Sequence, residues 1–281
     1  MKRLLLAAVL PAAVLLAAPA AAQLDPPAWT RPIPPVRLIG PVDYVGTQGL
    51  AAYLIRTRDG AILIDATMAE NAPAIERNIQ ALGVRLRDVK LILVSHAHFD
   101  HAAGLAAMRR DTGAQVVAGA GDVEALETGI PPGETNYGVV RFPAVPVARR
   151  VRDGDKVTLG GVTLRAVATP GHTPGCFTWT MRIAQRGRPL DIVFPCSVTV
   201  AGNKLFGNAR YPRIVQDYRA SIARLAALHA DVVLPAHPEM ADVLERAKAG
   251  TLVAPGLLRQ IVLKARDDFD REWLRQGRTA R

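Results

Sequence analysis

The chain has 281 residues, of which 49% are apolar and 21% are charged, and its formal net charge is +10. A chain of this length forms one large domain or two small ones, and its composition excludes a coiled coil, a collagen-like repeat and a disordered chain. Its Lys and Arg residues are scattered rather than gathered in one run. We therefore expect no nucleic-acid partner, because a concentrated basic face is what binds phosphate backbones.

The first residues have the features of a secretory signal peptide. Lys2 and Arg3 precede an apolar stretch, and the small residues at 20–22 fit a cleavage site. Residues 1–22 are therefore predicted to be a cleaved signal peptide and residues 23–281 a single domain. The alternative is a membrane anchor, but the apolar stretch is short for a span of about 20 residues. We expect an exported protein, in a periplasm or secreted, with no membrane partner.

Short apolar runs and amphipathic segments predict the elements in chain order. In the first half we predict a hairpin over 50–65, a helix over 71–82, a buried strand over 89–94 and a helix over 102–110. In the second half we predict a hairpin over 157–168, strands over 177–183, 192–205 and 232–234, a helix over 212–228 and helical segments at the end. This order indicates an α/β protein with helices outside packed sheets, although it also fits a doubly wound sheet.

A group of residues that can bind a metal ion lies directly after the predicted strand over 89–94. These residues are His96, His98, Asp100 and His101. His96 and His98 point the same way in an extended chain and can bind one ion, whereas Asp100 and His101 come as the chain turns into a helix. Burying so many ionisable groups without a metal is costly. The segment therefore predicts a metal site, and its geometry suits two adjacent ions.

Two further histidines occupy comparable positions. His172 lies in a Gly-His-Thr-Pro-Gly turn between two predicted strands, and His237 follows the strand over 232–234. With the first cluster they make five His and one Asp, which is enough for two zinc ions with three protein ligands each. The sixth histidine, His229, has no motif around it and is predicted to lie on the surface.

The combined pattern resembles the metallo-β-lactamase superfamily over most of the chain. Its parts are His-x-His-x-Asp-His after an apolar strand, the Gly-His-Thr-Pro-Gly turn and a late His after a strand. The resemblance implies an αββα sandwich with a dinuclear zinc site at the edge of two sheets. Because the superfamily includes β-lactamases, glyoxalase-like thioesterases, lactonases and nucleases, the motif indicates fold and metal more firmly than substrate.

The segments 196–212, 215–219 and 236–239 are most similar to the third subclass of class B β-lactamases. Glyoxalase-like and lactonase-like relatives have a bridging Asp on the strand between the motif histidines, but residues 192–200 contain no acid, and Asp191 comes too early. Ser197 stands where the first two subclasses have a Cys ligand, and Cys196 would face the other side of a strand. His101 can complete the second metal instead, as in the third subclass.

The resemblance implies a role for each site residue. The first zinc ion is expected on His96, His98 and His172, and the second on Asp100, His101 and His237, with a hydroxide between them as the nucleophile. Asp100 and Asn203 are the implied catalytic residues, and Ser197, Thr199 and Asn203 are the implied substrate contacts. The alternative for the last three is that they are merely polar residues that end a strand.

We expect a monomer that hydrolyses small-molecule β-lactams, namely penicillins, cephalosporins and carbapenems. The alternatives are a dizinc lactonase or thioesterase, a zinc nuclease and a binding protein without catalysis.

Cys176 and Cys196 are the two cysteines of the chain. An even number of cysteines in an exported protein favours a disulfide. If the predicted strands over 177–183 and 192–205 pair, the two Cα atoms can lie about 4.4–6.8 Å apart, as a disulfide requires. The alternatives are two buried thiols or a zinc-bound thiolate at Cys196.

Overall fold

A computed structural model describes residues 25–136 and 138–279. The predicted signal peptide, residues 1–22, lies outside these ranges. Within them, no helix has both the length and the apolar character that crossing a membrane requires.

Two sheets form the centre of the structure. The first sheet has seven strands in sequential order, antiparallel from β1 to β4 and parallel from β4 to β7. They are β1 (Val36–Ile39), β2 (Val42–Tyr44), β3 (Tyr53–Thr57), β4 (Gly60–Ile64), β5 (Val89–Leu93), β6 (Gln115–Gly119) and β7 (Arg149–Val151). The second sheet has the order β12-β11-β10-β9-β8, and β12 is its one strand parallel to its neighbour among the described residues. Its strands are β8 (Lys156–Leu159), β9 (Val162–Ala168), β10 (Phe177–Gln185), β11 (Arg188–Phe194) and β12 (Val232–Val233).

Helices cover the outer faces of both sheets. They are α1 (Ala72–Ala81), α2 (Phe99–Ala102), α3 (Leu105–Thr112), α4 (Val123–Thr128), α5 (Ile214–Ala226), α6 (Val243–Ala249) and α7 (Leu257–Thr279). Successive residues of β3 face opposite ways, so Tyr53 packs in the cluster that also contains Trp179 of the second sheet, and Leu54 packs in the cluster that contains Ile75 of α1. Both faces of the first sheet are therefore buried. The αββα sandwich is confirmed, and the doubly wound alternative is wrong.

Two predicted elements differ from the structure. The helix predicted over 102–110 is two helices, α2 and α3, separated at Gly104. A Cβ atom at Gly104 would lie 2.2 Å from the carbonyl oxygen of Ala66, so the chain approaches the end of β4 too closely there for a residue with a side chain. The strand predicted over 192–205 ends at Phe194. Pro195 follows and has no backbone N–H to donate to a neighbouring strand. Ala201 and Gly202 have φ angles of 45° and 75°, which are not those of a strand.

The predicted disulfide between Cys176 and Cys196 is confirmed, with Cα atoms 5.9 Å apart. The alternatives of two free thiols and of a thiolate ligand at Cys196 are therefore wrong. The two cysteines lie just outside the paired part of β10 and β11, in which Trp179 faces Phe194. The bond thus ties together the chain segments that leave the end of these strands.

Candidate metal centre

The structure brings the six predicted metal ligands together at one end of the two sheets. They are contributed by loops and helix starts that follow strands of both sheets. His96 and His98 follow β5, Asp100 and His101 lie in α2, His172 lies between β9 and β10, and His237 follows β12. The first sheet therefore supplies four of these side chains and the second sheet supplies two.

His96, His98 and His172 form the first group. One ring nitrogen from each lies within 4.8 Å of the others, and His98 Nδ1 is 2.9 Å from His172 Nε2. His96 Nε2 is buried and has no hydrogen-bond partner in the described part of the chain. Nitrogen ligands of a tetrahedral zinc ion, each about 2.0–2.1 Å from the metal, lie about 3.3 Å apart. The spacing and the unpartnered buried nitrogen fit one zinc ion.

Asp100, His101 and His237 form the second group. Asp100 Oδ2 lies 3.1 Å from His101 Nε2 and 3.4 Å from His237 Nε2, and the two nitrogens are 3.2 Å apart. This triangle has the edge length that a tetrahedral zinc ion requires. One ligand atom each from His96, Asp100 and His101 also lie within 4.8 Å of one another, so the two groups adjoin. The residues present therefore fit two neighbouring ions.

The protonation states of the first group suit metal binding. Burial lowers the pKa of His98 to about 4 and holds the pKa values of His96 and His172 well below the usual value, so these imidazoles are neutral near pH 7. A neutral imidazole is the form that binds a metal. Burial would raise the pKa of Asp100, but His101 and His237 outweigh burial and hold that pKa well below its usual range. The second group therefore contains a carboxylate anion. Burial would lower the pKa of His101, but Asp100 outweighs burial and raises it, so a metal ion competes with a proton for this imidazole.

Oxygen atoms behind the ligands orient the imidazole rings. Ser95 Oγ lies 3.0 Å from His96 Nδ1 and donates to Asp65 Oδ2 at 2.6 Å. Asp65 also accepts from the Ser95 backbone N–H at 2.7 Å, which fixes this network beside His96; its carboxylate is 3.8 Å from His101 Nδ1, too far for a hydrogen bond. Such outer partners fix the orientation of metal-binding histidines. Asp65 is not among the residues predicted from the sequence, because an acid directly after the buried strand β4 is by itself no sign of a metal-site residue.

A second network holds His172. Its Nδ1 donates to the carbonyl of Thr199 at 2.7 Å, and Asn203 Nδ2 donates to the carbonyl of His172 at 3.0 Å and to the hydroxyl of Tyr218 at 3.3 Å. Asn203 is 1% exposed, so its position supports the His172 loop. Its contact with a substrate stays a prediction.

The hydroxyls of Ser197 and Thr199 lie 3.0 Å apart, as two donors to one anion would. Their role in substrate binding also stays a prediction.

Residues considered as alternative ligands lie elsewhere. Asp191 binds the guanidinium of Arg182 at 2.7 and 2.8 Å, which leaves it outside the two groups. Cys196 is in the disulfide. The side chain of His229 is 66% exposed and pairs with Asp231 at 3.3 Å, which confirms its predicted surface position.

Comparison with known proteins assigns the family. The sequence profile described as "Metallo-beta-lactamase superfamily" matches residues 46–237. The chain belongs to the metallo-β-lactamase superfamily. A subclass B3 metallo-β-lactamase of Bradyrhizobium japonicum is 41% identical, with a TM-score of 0.87 over 91% of this chain and 99% of that one. A metallo-β-lactamase of Legionella gormanii is 35% identical, with a TM-score of 0.82 over 88% of this chain and 98% of that one.

Curated relatives of the superfamily match at lower identity. A hydroxyacylglutathione hydrolase of Anaeromyxobacter dehalogenans is 31% identical over 194 residues, which are 66% of this chain and 59% of the relative. A human mitochondrial persulfide dioxygenase is 29% identical over 131 residues, 46% of this chain and 42% of the relative. The chain spans at most about three-fifths of the length of the curated relatives that it matches first. Membership of the superfamily therefore assigns a metallo-hydrolase fold to this chain. The relatives themselves are named for different reactions.

Proposed function

We propose that this protein is a dizinc β-lactamase that opens the ring of penicillins, cephalosporins and carbapenems. The observation that carries the proposal is how the second metal group is completed. His101 joins Asp100 and His237 there, while Cys196 is in a disulfide and Asp191 is held by Arg182. Neither a thiolate nor a bridging carboxylate from this part of the second sheet is available, which is the pattern expected of the third subclass. The likeness to the subclass B3 enzyme of Bradyrhizobium japonicum supports the same assignment.

In this proposal six side chains hold two zinc ions. His96, His98 and His172 hold one ion, and Asp100, His101 and His237 hold the other. Two such ions, when bound, would polarise a carbonyl group and lower the pKa of water to ~7, so that a nucleophile is present at neutral pH. No serine nucleophile is required.

The remaining site residues bind and orient. The hydroxyls of Ser197 and Thr199 would donate to the carboxylate that β-lactams carry beside the ring nitrogen, since they lie close enough to share one anion. Asn203 would hold the loop of His172 in place through the carbonyl of that residue. The chain itself thus supplies neutral imidazoles in the first group, an ionised Asp100 in the second group and a pair of hydroxyl donors for the substrate.

The test is hydrolysis by the purified mature protein of nitrocefin and of a carbapenem, with and without EDTA. We expect ring opening that EDTA abolishes and added zinc restores, and two zinc ions per chain by elemental analysis. A His101→Ala variant should lose the second ion and most of its activity. His229→Ala, which removes an exposed histidine, is the matched control and should change neither. Full zinc loading without turnover of any β-lactam would contradict the proposal.

A second candidate function is a dizinc thioesterase or lactonase. It is favoured by the 31% identity to a hydroxyacylglutathione hydrolase. The same preparation should therefore be assayed with a hydroxyacyl thioester of glutathione and with a lactone. Fast hydrolysis of either, alongside inert β-lactams, would select this alternative.

We further propose that the protein acts as a monomer after export to a periplasm or to the outside of the cell. The disulfide supports an oxidising compartment. The test is N-terminal sequencing of the protein from a periplasmic fraction, where the mature chain should begin at Gln23. Light scattering of that preparation should give the mass of one chain.

A further inference from the structure

Asp122 is a buried carboxylate outside the two metal groups. It lies between β6 and α4 and is 1% exposed. Its Oδ2 accepts hydrogen bonds from the backbone N–H of Ala97 at 2.8 Å and from the hydroxyl of Thr173 at 2.6 Å. Its Oδ1 accepts from the backbone N–H of Gly175 at 2.7 Å. These three donors are neutral, and no Lys or Arg of the described chain forms an ion pair with Asp122.

The three donors belong to the two loops that build the first metal group. Ala97 lies between His96 and His98, and Thr173 directly follows His172. One loop leaves the first sheet at β5, and the other connects β9 and β10 of the second sheet. A single carboxylate therefore connects the two halves of this metal group.

The backbone around Asp122 packs directly against the His172 loop. A Cβ atom added to Gly175 would lie 2.2 Å from the backbone nitrogen of Asp122, and one added to Gly121 would lie 2.6 Å from the carbonyl carbon of Pro174. Only glycine allows the two segments to approach this closely. The carboxylate is thus held at a fixed place between its donors, which makes its hydrogen bonds sensitive to small changes in either loop.

We propose that Asp122 is a positioning residue that sets the spacing of His98 and His172 and thereby the affinity of the first zinc site. The inference rests on the metal binding proposed above. Hydrogen bonds to an ionised acceptor are stronger than those between neutral groups, and a buried carboxylate needs all of them. An anion next to three neutral histidines also favours a cation among them.

The test is the Asp122→Asn variant, measured by competition for zinc with a chromophoric chelator. The amide has one acceptor oxygen, and its NH2 group must face a donor, so at least one of the Ala97 and Gly175 N–H groups loses its partner. We expect zinc affinity of the first site to fall roughly 10-fold, the lower end of the range for direct outer partners of a metal ligand, because Asp122 acts through the residues next to the ligands. In the metal-free variant, hydrogen exchange at Ala97 and Gly175 should be faster.

Asp43→Asn is the matched control. Asp43 is also buried, but its partner is Arg56 rather than a metal loop. This variant should lose stability without losing zinc affinity. If Asp122→Asn does not fold, Thr173→Val removes one of the three bonds without leaving a backbone N–H unpaired, and it should weaken zinc binding several-fold.

The outcomes separate this inference from the proposed function. A wild-type protein that binds no zinc would overturn both. Suppose that the wild type is active and binds two zinc ions. The inference alone is then overturned if zinc affinity is unchanged in Asp122→Asn, or if it is reduced equally in Asp43→Asn.

Discussion

Tyr218 and His172 donate hydrogen bonds to the same oxygen, the carbonyl of Thr199, each at 2.7 Å. Tyr218 lies in α5, so this shared acceptor connects an outer helix to a predicted metal ligand. The tyrosine ring is buried against Phe269 of α7, which holds its hydroxyl in place. The orientation of the His172 ring therefore depends on how the second sheet packs against its helices.

The Tyr218→Phe variant tests this dependence. We expect a loss of about 2 kcal/mol in the free energy of unfolding, because at least two buried hydrogen bonds are removed, the one donated to Thr199 and the one accepted from Asn203 Nδ2. We also expect a several-fold weaker binding of the first zinc ion. Urea unfolding and chelator competition measure the two effects. Tyr44→Phe is the control, since Tyr44 also has a buried hydroxyl, bonded to Thr47 and Leu50. Equal zinc affinities in the two variants would contradict the expectation.

Asp122 predicts a pH dependence of stability in the metal-free protein. Burial raises its pKa from 3.8 to about 6, although its three hydrogen bonds oppose the shift. Between about pH 4 and pH 6 the folded state keeps a proton that the unfolded state has released, so the free energy of unfolding falls as pH rises through this window. The difference between the folded and unfolded pKa values corresponds to about 3 kcal/mol.

An Asn side chain does not titrate, so comparison with the Asp122→Asn variant isolates the contribution of Asp122 to the pH dependence of stability. The unfolding free energy of the wild type, minus that of the variant, should fall by about 3 kcal/mol from about pH 4 to about pH 7. Chemical denaturation of both metal-free proteins at several pH values measures it. Parallel pH profiles would show that Asp122 has an ordinary pKa.

The disulfide should stabilise the fold without taking part in metal binding. Replacing both Cys176 and Cys196 by Ser opens a loop with a sequence separation of 20 and should cost roughly 3 kcal/mol on the chain-entropy account. Zinc content should stay at its wild-type value, because neither sulfur is a ligand. Denaturation and elemental analysis of the double variant measure these quantities. A loss of one zinc ion would be inconsistent with the assignment of His101 as a ligand.

Ser197 and Thr199 should act together on substrate binding. Their hydroxyls lie 3.0 Å apart, so each remains available when the other is removed. We expect Ser197→Ala and Thr199→Val each to raise KM for a β-lactam more than they lower kcat, and the double variant to raise KM by more than the product of the single effects. Steady-state kinetics provide the measurement. Thr158→Val, which breaks the exposed Thr158–Thr163 hydroxyl pair, is the control and should leave KM unchanged.

The grouping of the six predicted metal ligands could be anticipated from the sequence, because local patterns contain most of them. His96 to His101 are adjacent in sequence, and His172 lies in a turn motif. Asp65 and Asp122 could not be predicted in the same way, because their partners are 25 to 53 positions away and only the fold brings them together. A single acid after a strand has no spacing that distinguishes it from a solvated one.

The strand wrongly predicted beyond Phe194 has a related cause. Val198, Val200 and Leu205 are buried in the core, so the apolar pattern of this segment is real. They belong to the cluster that also contains side chains of strands and helices, although their own segment pairs with no neighbouring strand among the described residues. An apolar pattern indicates which residues are buried, but it does not indicate whether the backbone between them pairs with a neighbouring strand.

Each of the two metal groups combines side chains from both sheets, since His172 and His237 come from the second sheet and the other four ligands come from the first. An ion bound in either group would therefore act as an interlayer cross-link between distant parts of the chain. Binding that favours the folded state adds about 2.7 kcal/mol when free metal is at about 100 times its dissociation constant. Resistance to heat and to proteases should then follow the supply of metal in the compartment where the protein folds.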